Sequence, residues 1–307
     1  MTRLIIDTDP GVDDAHAIMA ALTYPQATVE AIMTVSGNVS LAKTTANACL
    51  ILDILERDIA VYAGCDRPLV GDAVDASSFH GPDGLGNSRY KPSQRQVEHE
   101  HAVNALIRLA NAHPGELTLA AIGPLTNVAL ATRLDPALPD KIARLVVMGG
   151  AILGQGNVTP AAEFNAYADP EAAAIVFDTW ADLTLVSWET TLNHSMSAAK
   201  VDALLALDSP RAKFFRRITM QSLKGREKRL GQRTLLAPDL LAIAVALEPE
   251  IVSSAVAHNV QVELSGRYTR GCTTVDWSDT EEKEPKADLV LQLDTERVFE
   301  MLRAALS

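Results

Sequence analysis

Short apolar runs alternate with longer stretches of helical periodicity along most of this 307-residue chain, and that alternation restricts the fold more than any other feature. Leu4-Ile5-Ile6 is followed by a polar turn and then by Ala15, Ile18, Met19 and Leu22 at helical spacing. A second run over 28–35 precedes a helical stretch from about Leu41 to Leu55, and further runs lie at 59–62, 117–122, 144–148 and 183–186. Strand-length runs separated by helices are the mark of βαβ units and a parallel sheet. No repeat with a period of 20–50 residues accompanies them. The chain is therefore expected to be one α/β domain over 1–307, an open and mostly parallel Rossmann-like sheet flanked by helices. Two stretches break the rhythm. Residues 64–98, rich in Gly, Pro, Asp and Ser, read as a long loop of the kind that walls a site. Residues 190–233 carry helical patterns with no strand between them and are expected to form a helical insertion. The charged run 279–288 reads as a solvated loop.

In an open parallel sheet, ligands bind beyond the carboxyl ends of the strands, so the residues that follow each apolar run carry the chemistry. After Leu4-Ile5-Ile6 come Asp7, Asp9, Asp13 and Asp14 within eight residues; after the second run comes Ser36-Gly37-Asn38. Gly123-Pro124-Leu125-Thr126-Asn127 follows the run ending at Ile122, and Gly149-Gly150 opens a loop holding Asn157, Glu163 and Asn165. All four stretches are expected at one edge of the sheet. One acid suffices to cap the helix after Gly11, whereas four crowded carboxylates raise one another's pKa unless a cation neutralises them. With no His or Cys in the cluster, a hard ion bound through oxygen, Ca²⁺ or Mg²⁺, is expected rather than Zn²⁺. The formal net charge of −12, from 27 basic and 39 acidic residues, argues against a nucleic acid polymer as partner. No apolar run approaches the ~20 residues of a membrane span, and the acid soon after Ile6 is unlike a secretory signal. Cys49, Cys65 and Cys272 form no CxxC and suit reduced thiols, so a cytoplasmic protein is expected.

Several of these strings resemble the inosine-uridine-preferring nucleoside hydrolase family. They are DTDPGVDDAHAI near the N-terminus, TVSGN at 34–38, HGPDGLG at 80–86, IGPLTNVA at 122–129, MGGA at 148–151, NVTPAAEFNAYADPEAA at 157–173 and PDLLAIAVALEP at 238–249. The resemblance implies a Ca²⁺-dependent enzyme that hydrolyses the N-glycosidic bond of ribonucleosides to ribose and base, usually as a homodimer or homotetramer. It implies metal ligation by Asp9, Asp14, the carbonyl of Thr126 and Asp239. Asp9 would also take a proton from the water that the metal activates. Asp13 would hold the ribose 2′-hydroxyl with Asn38 nearby, and Asn157, Glu163 and Asn165 would hold the 5′ and 3′ side of the sugar. Without the resemblance, Asp239 reads as a helix N-cap, and Thr126 and Asn165 as turn residues.

At the base the match weakens. Family members often carry a histidine directly before the last metal aspartate, where this chain has Pro238. Either another side chain then protonates the leaving base, with His80 the best-placed remaining histidine, or the base leaves as a stabilised anion. Arg229, Gln232, Arg233, Trp188, Glu189, Asn193 and His194 are further candidates for the base end, and Phe79, Tyr90, Phe164 and Tyr167 for stacking. His99 and His101, two residues apart, read as solvated surface. Two other classes compete: an aspartate-type phosphohydrolase, which also opens with DxD after the first strand, and a catalytically silent nucleoside- or ribose-binding protein.

Overall fold

A computed structural model describes residues 1–231, 233–278, 280 and 286–307. Its strands are β1 (Thr2–Thr8), β2 (Ala27–Thr34), β3 (Ala60–Ala63), β4 (Leu117–Ala121), β5 (Ile142–Met148), β6 (Leu183–Val186), β7 (Val252–His258), β8 (Val260–Val262), β9 (Thr273–Val275) and β10 (Ala287–Leu293). The helices up to the middle of the chain are α1 (Val12–Thr23), α2 (Leu41–Leu55), α3 (Ser77–His80), α4 (Ala102–Ala112), α5 (Thr126–Leu134), α6 (Leu138–Lys141) and α7 (Phe164–Ala168). After them come α8 (Pro170–Thr179), α9 (Trp188–Asn193), α10 (Ala198–Leu205), α11 (Pro210–Leu230), α12 (Pro238–Leu247) and α13 (Thr295–Ala305).

Eight strands form one sheet in the order β3-β2-β1-β4-β5-β6-β10-β7, parallel throughout except for β7 against β10. The order reverses direction at β1, so the chain leaves the sheet on opposite faces after β1 and after β4 and opens a crevice between their ends. The ends of β2, β1, β4 and β5, which carry the polar stretches, are adjacent strands.

Alternation along each strand divides the core into two apolar layers. Leu4, Ile6 and Ile32 face a layer with α1, α2, α11 and α12, whereas Ile5, Met33 and Leu119 face a layer with α4, α5 and α8. The α12 sequence PDLLAIAVAL is buried on all sides, as an all-apolar helix must be, and packs on α1 and over β4, β5 and β6. The expected insertion is present as α9, α10 and α11. The 64–98 stretch holds only the short α3 and an isolated bridge from Glu98 to Tyr62.

The structure corrects two expectations. The charged run 279–288 is not wholly loop, because Ala287 and Asp288 open β10 and Ala287 is buried beside β6; residues 279 and 281–285 lie outside the described residues. Asp7 does not belong to the acid cluster, because the two-residue period of β1 sends it to the α5 face, where Asn127 Nδ2 donates to its Oδ2 at 2.8 Å. Among the described residues no helix is long and apolar enough to cross a membrane. All three cysteines are buried and unbridged.

Candidate active site

The acids are placed by strand ends and first turns. β1 stops at Thr8, Pro10 turns the chain, and α1 begins at Val12, so Asp9 hangs at the end of the strand and Asp13 and Asp14 enter the first turn of the helix. That position suits carboxylates, since the helix dipole and unpaired N–H groups favour negative charge. Asp14 accepts from Thr8 Oγ1 (2.5 Å), from the Gly11 N–H (2.8 Å) and from Asn38 Nδ2 (2.9 Å). Asp239 lies in the first turn of α12, one residue after Pro238, rather than at the N-cap, which is Ala237.

Asp9 is held from β2. The Asn38 N–H donates to Asp9 Oδ2 at 2.7 Å, and Asn38 Nδ2 donates to the Asp9 carbonyl at 3.2 Å. Close approach needs glycine on both sides: a Cβ on Gly37 would stand 2.1 Å from Asp9 Oδ2, and one on Gly123 would stand 2.8 Å from Asp9 Oδ1. Asp9 Oδ1 is buried without a hydrogen-bond partner among the described residues. Asp13 Oδ1 also lacks one, with the His80 ring 3.6 Å away. Carboxylate oxygens of Asp13, Asp14 and Asp239 lie within 4.8 Å of one another. Burial, then the charge of Asp14, pushes the Asp9 carboxyl well above the usual range. Burial followed by the charges of Asp13, Asp14 and Asp9 does the same to Asp239.

A cavity of about 380 Å³ opens over these acids, and Asp13, Asn38, His80, Asn157, Glu163, Asn165 and Asp239 all line it. Asp9, Asp14 and Thr126 are buried and do not line it. Glu163 caps α7: its carboxylate accepts from the N–H groups of Asn165 (3.0 Å), Gly150 (2.9 Å) and Ala166 (3.2 Å). Burial raises its pKa to about 7. Asn165 Nδ2 ties down two strand ends by donating to the carbonyls of Ile122 (2.9 Å) and Met148 (3.2 Å). Asn157 sits in an exposed loop whose backbone folds onto the Ala162 carbonyl at 3.1 Å. Thr126 opens α5, and its hydroxyl donates to Asp169 Oδ2 at 2.7 Å. The same Asp169 oxygen accepts from the Leu69 N–H at 2.9 Å.

His80 is buried, and its Nδ1 accepts the Val12 N–H at 3.1 Å, which leaves the proton on Nε2. Burial lowers its pKa to about 4, so it offers the cavity a neutral N–H donor. Phe79 and Phe164 line the cavity, whereas Tyr90 packs on Phe214, with ring centroids 5.3 Å apart, and Tyr167 is not part of the lining. Trp188 lines it too, but Glu189 receives the N–H groups of Ile152 and Leu153, and His194 bridges the Thr190 carbonyl to the Leu293 N–H. Arg233 pairs with Asp202 at 3.0 Å, away from the cavity. Gln232 lies outside the described residues, as does the side chain of Arg229. His99 and His101 are exposed, as expected, with His101 capping α4.

Among the lining residues that escaped the sequence reading, two bear on the chemistry, His16 and Arg226. His16 lies three and four residues after Asp13 and Val12, so helical spacing alone places it on their face of α1. Arg226 shares a face of α11 with Ser222 and Leu223, but only the packing of α11 on α1 brings that face to the cavity.

The model of the inosine-uridine preferring nucleoside hydrolases matches residues 4–300. The inosine-uridine preferring nucleoside hydrolase of Crithidia fasciculata is 34% identical over 307 residues, covering 99% of this chain and 97% of its own. The pyrimidine-specific ribonucleoside hydrolase RihB of Escherichia coli O1:K1 is 33% identical, covering 96% of this chain and 93% of its own. Among solved structures, a purine-preferring ribonucleoside hydrolase from Gardnerella vaginalis superimposes with a TM-score of 0.92 at 30% identity, over 99% of this chain and 98% of its own.

Proposed function

The chain belongs to the inosine-uridine preferring nucleoside hydrolase family, and on that premise we propose that it is a Ca²⁺-dependent enzyme in which Asp9 is the general base. As a nucleoside hydrolase it splits ribonucleosides into ribose and free base. One observation carries the reading of the site: Asp9 Oδ1 and Asp13 Oδ1 are buried without partners beside Asp14 and Asp239. Buried carboxylates left in that state are costly, and a divalent cation relieves the cost. The donor set is all oxygen, which suits Ca²⁺. Asp9, Asp14, Asp239 and the carbonyl of Thr126 would hold the ion. When bound, it offsets the acids' charge and lowers the pKa of a water it holds.

The rest follows from the chain's own groups. Asn38 occupies Asp9 Oδ2, so Oδ1 is the oxygen that receives a proton from the attacking water. Asp13, at the cavity floor, accepts from the ribose 2′-hydroxyl. Asn38 fixes both Asp9 and Asp14 and so sets their spacing. Glu163 uses both oxygens on backbone N–H groups, and its further lone pairs accept from the sugar hydroxyls on the 5′ side together with Asn157 and Asn165. Rigidly held partners of this kind orient the ribose and stabilise its oxocarbenium character as the base departs. Among the described residues no lysine lines the cavity, which disfavours a phosphohydrolase. We also read the chain as one domain over 1–307 and as a cytoplasmic homodimer or homotetramer. A reducing-sugar assay across the common ribonucleosides, with Ca²⁺ and with chelator, tests the reading. Ribose should be released only with the metal; phosphate release from phosphoesters without ribose release would reject it.

A further inference from the structure

The acids of the cavity floor deal with the sugar and the water, yet the other half of the reaction puts negative charge on the base. When the C1′–N bond breaks, its electron pair leaves with the base nitrogen, while the oxygen of water bonds to C1′. The water proton goes to Asp9 and on to solvent, and the base nitrogen later takes a proton back from solvent. Until then the base is an anion inside a cavity lined by Asp13, Asp75, Glu163 and Asp239. Something must offset that charge.

The histidines that line the cavity are poor acids by their geometry. Pro238 has no side-chain proton. His80 Nδ1 is engaged by the Val12 N–H, so the ring carries one proton and no surplus. His16 is in the same state: Thr219 Oγ1 gives its proton to the Phe215 carbonyl (2.7 Å), so it accepts from His16 Nε2–H (2.8 Å). Among the described residues that line the cavity, Arg226 is the one permanent cation. Its Nε donates to Thr234 Oγ1 at 2.8 Å, which anchors the α11 side chain to the segment leading into α12. The α11 wall belongs to the apolar layer on one face of the sheet, through Ile218 and Leu223. The loop carrying Glu163 and Asn165 is rooted through Ile152 and Ala166 in the layer on the other face. The cation therefore belongs to one layer, and the loop that carries Glu163 and Asn165 to the other.

We propose that Arg226 is a catalytic residue that stabilises the departing base as an anion by charge-assisted hydrogen bonding. The inference rests on the nucleoside hydrolase reading above. A preorganised donor of this kind contributes about 10²–10³ in rate. It keeps its own proton, so the anion is stabilised rather than protonated by it.

The test compares two leaving groups in the full-length protein. Hypoxanthine from inosine and uracil from uridine depart as poorly stabilised anions, whereas the 4-nitrophenolate of 4-nitrophenyl β-ribofuranoside departs readily unaided. Arg226→Met should lower kcat for the nucleosides roughly a hundredfold and leave the 4-nitrophenyl riboside within about threefold, which also shows that the variant is folded. Arg226→Lys, which keeps the charge, should recover part of the nucleoside rate. Equal losses on both substrates, or no loss on either, would overturn the assignment. If the unmodified protein cleaves neither substrate, the nucleoside hydrolase reading fails and this inference fails with it.

Discussion

The floor of the cavity rests on the ends of β1 and β4 and the first turns of α1 and α12, in the middle of the sheet. The wall that carries Arg226 rests on the last turns of α11 and the segment that follows it, half-exposed and outside the sheet. At the floor, two of the acids are held by a backbone donor: Asn38 N–H on Asp9 and Gly11 N–H on Asp14. At the wall, a side chain is held by another side chain, Arg226 by Thr234. On the proposed reading, the floor serves a reaction that tolerates little movement, and the wall makes contacts that can differ between bases. That division predicts that floor substitutions abolish chemistry, whereas wall substitutions sort substrates.

The largest effect expected is at Asp9. Asp9→Asn keeps the oxygen that accepts from Asn38 but loses the base, and should lower kcat by about 10³ or more with ribose release as the measurement. Because the buried Asp9 carboxyl carries an unpartnered oxygen, the variant should melt no lower than the unmodified protein in chelator. Near-normal turnover would break the contrast between floor and wall.

Removing the metal comes next. Chelation should abolish ribose release, and saturating Ca²⁺ at a hundredfold excess over Kd should add roughly 2.7 kcal/mol of stability, read as a rise in Tm. The sign of the pH dependence in chelator is distinctive. Glu163 and Asp7 have folded pKa values raised to about 7, above their unfolded values. Below the unfolded values they are protonated in both states and cost nothing. As pH rises towards about 7 the unfolded chain ionises first, so stability falls over that window and the loss is complete above it. A chelated protein that gains stability between pH 5 and 7 would contradict this balance.

A smaller effect is expected from the substrate. With Asp13 left unpaired, 2′-deoxyuridine should react at least about a hundredfold more slowly than uridine, whereas changing the base should alter rates without abolishing them. Comparable rates on the two uridines would remove the 2′-hydroxyl from the floor's work. The mildest change is Asp169→Asn, which loosens the Thr126 hydroxyl and the Leu69 N–H together. Calorimetry should show Ca²⁺ binding about tenfold weaker; unchanged affinity would mean that the start of α5 needs no such brace.

The same contrast explains what could be read from the sequence. Six strands were legible because they are short, largely buried and mostly apolar, and α2 because its apolar residues recur at helical spacing. β7 was not, because it is an antiparallel edge strand with mostly part-exposed residues, and β10 starts inside a charged run that hides it. Asp9, Asp13 and Asp14 were legible because they follow β1 directly, whereas Asp239 opens α12 with no strand before it. Asp7 misled for a local reason: crowding in sequence is not crowding in space when a strand sends neighbours to opposite faces. His16 and Arg226 take their meaning from α11 lying against α1, through the His16–Thr219 hydrogen bond and the His16–Phe215 ring contact at 4.7 Å. That contact spans about two hundred residues of sequence and leaves no local pattern.

The central claim is that the buried acids form one cation site on which ribose release depends. The most direct test is to titrate Ca²⁺ into chelated protein while following binding heat and ribose release from uridine and inosine in parallel. The account predicts one ion per chain, with activity rising from near zero at the same half-saturation as binding. Full activity in chelator, or binding that saturates without activity on any ribonucleoside, would contradict it.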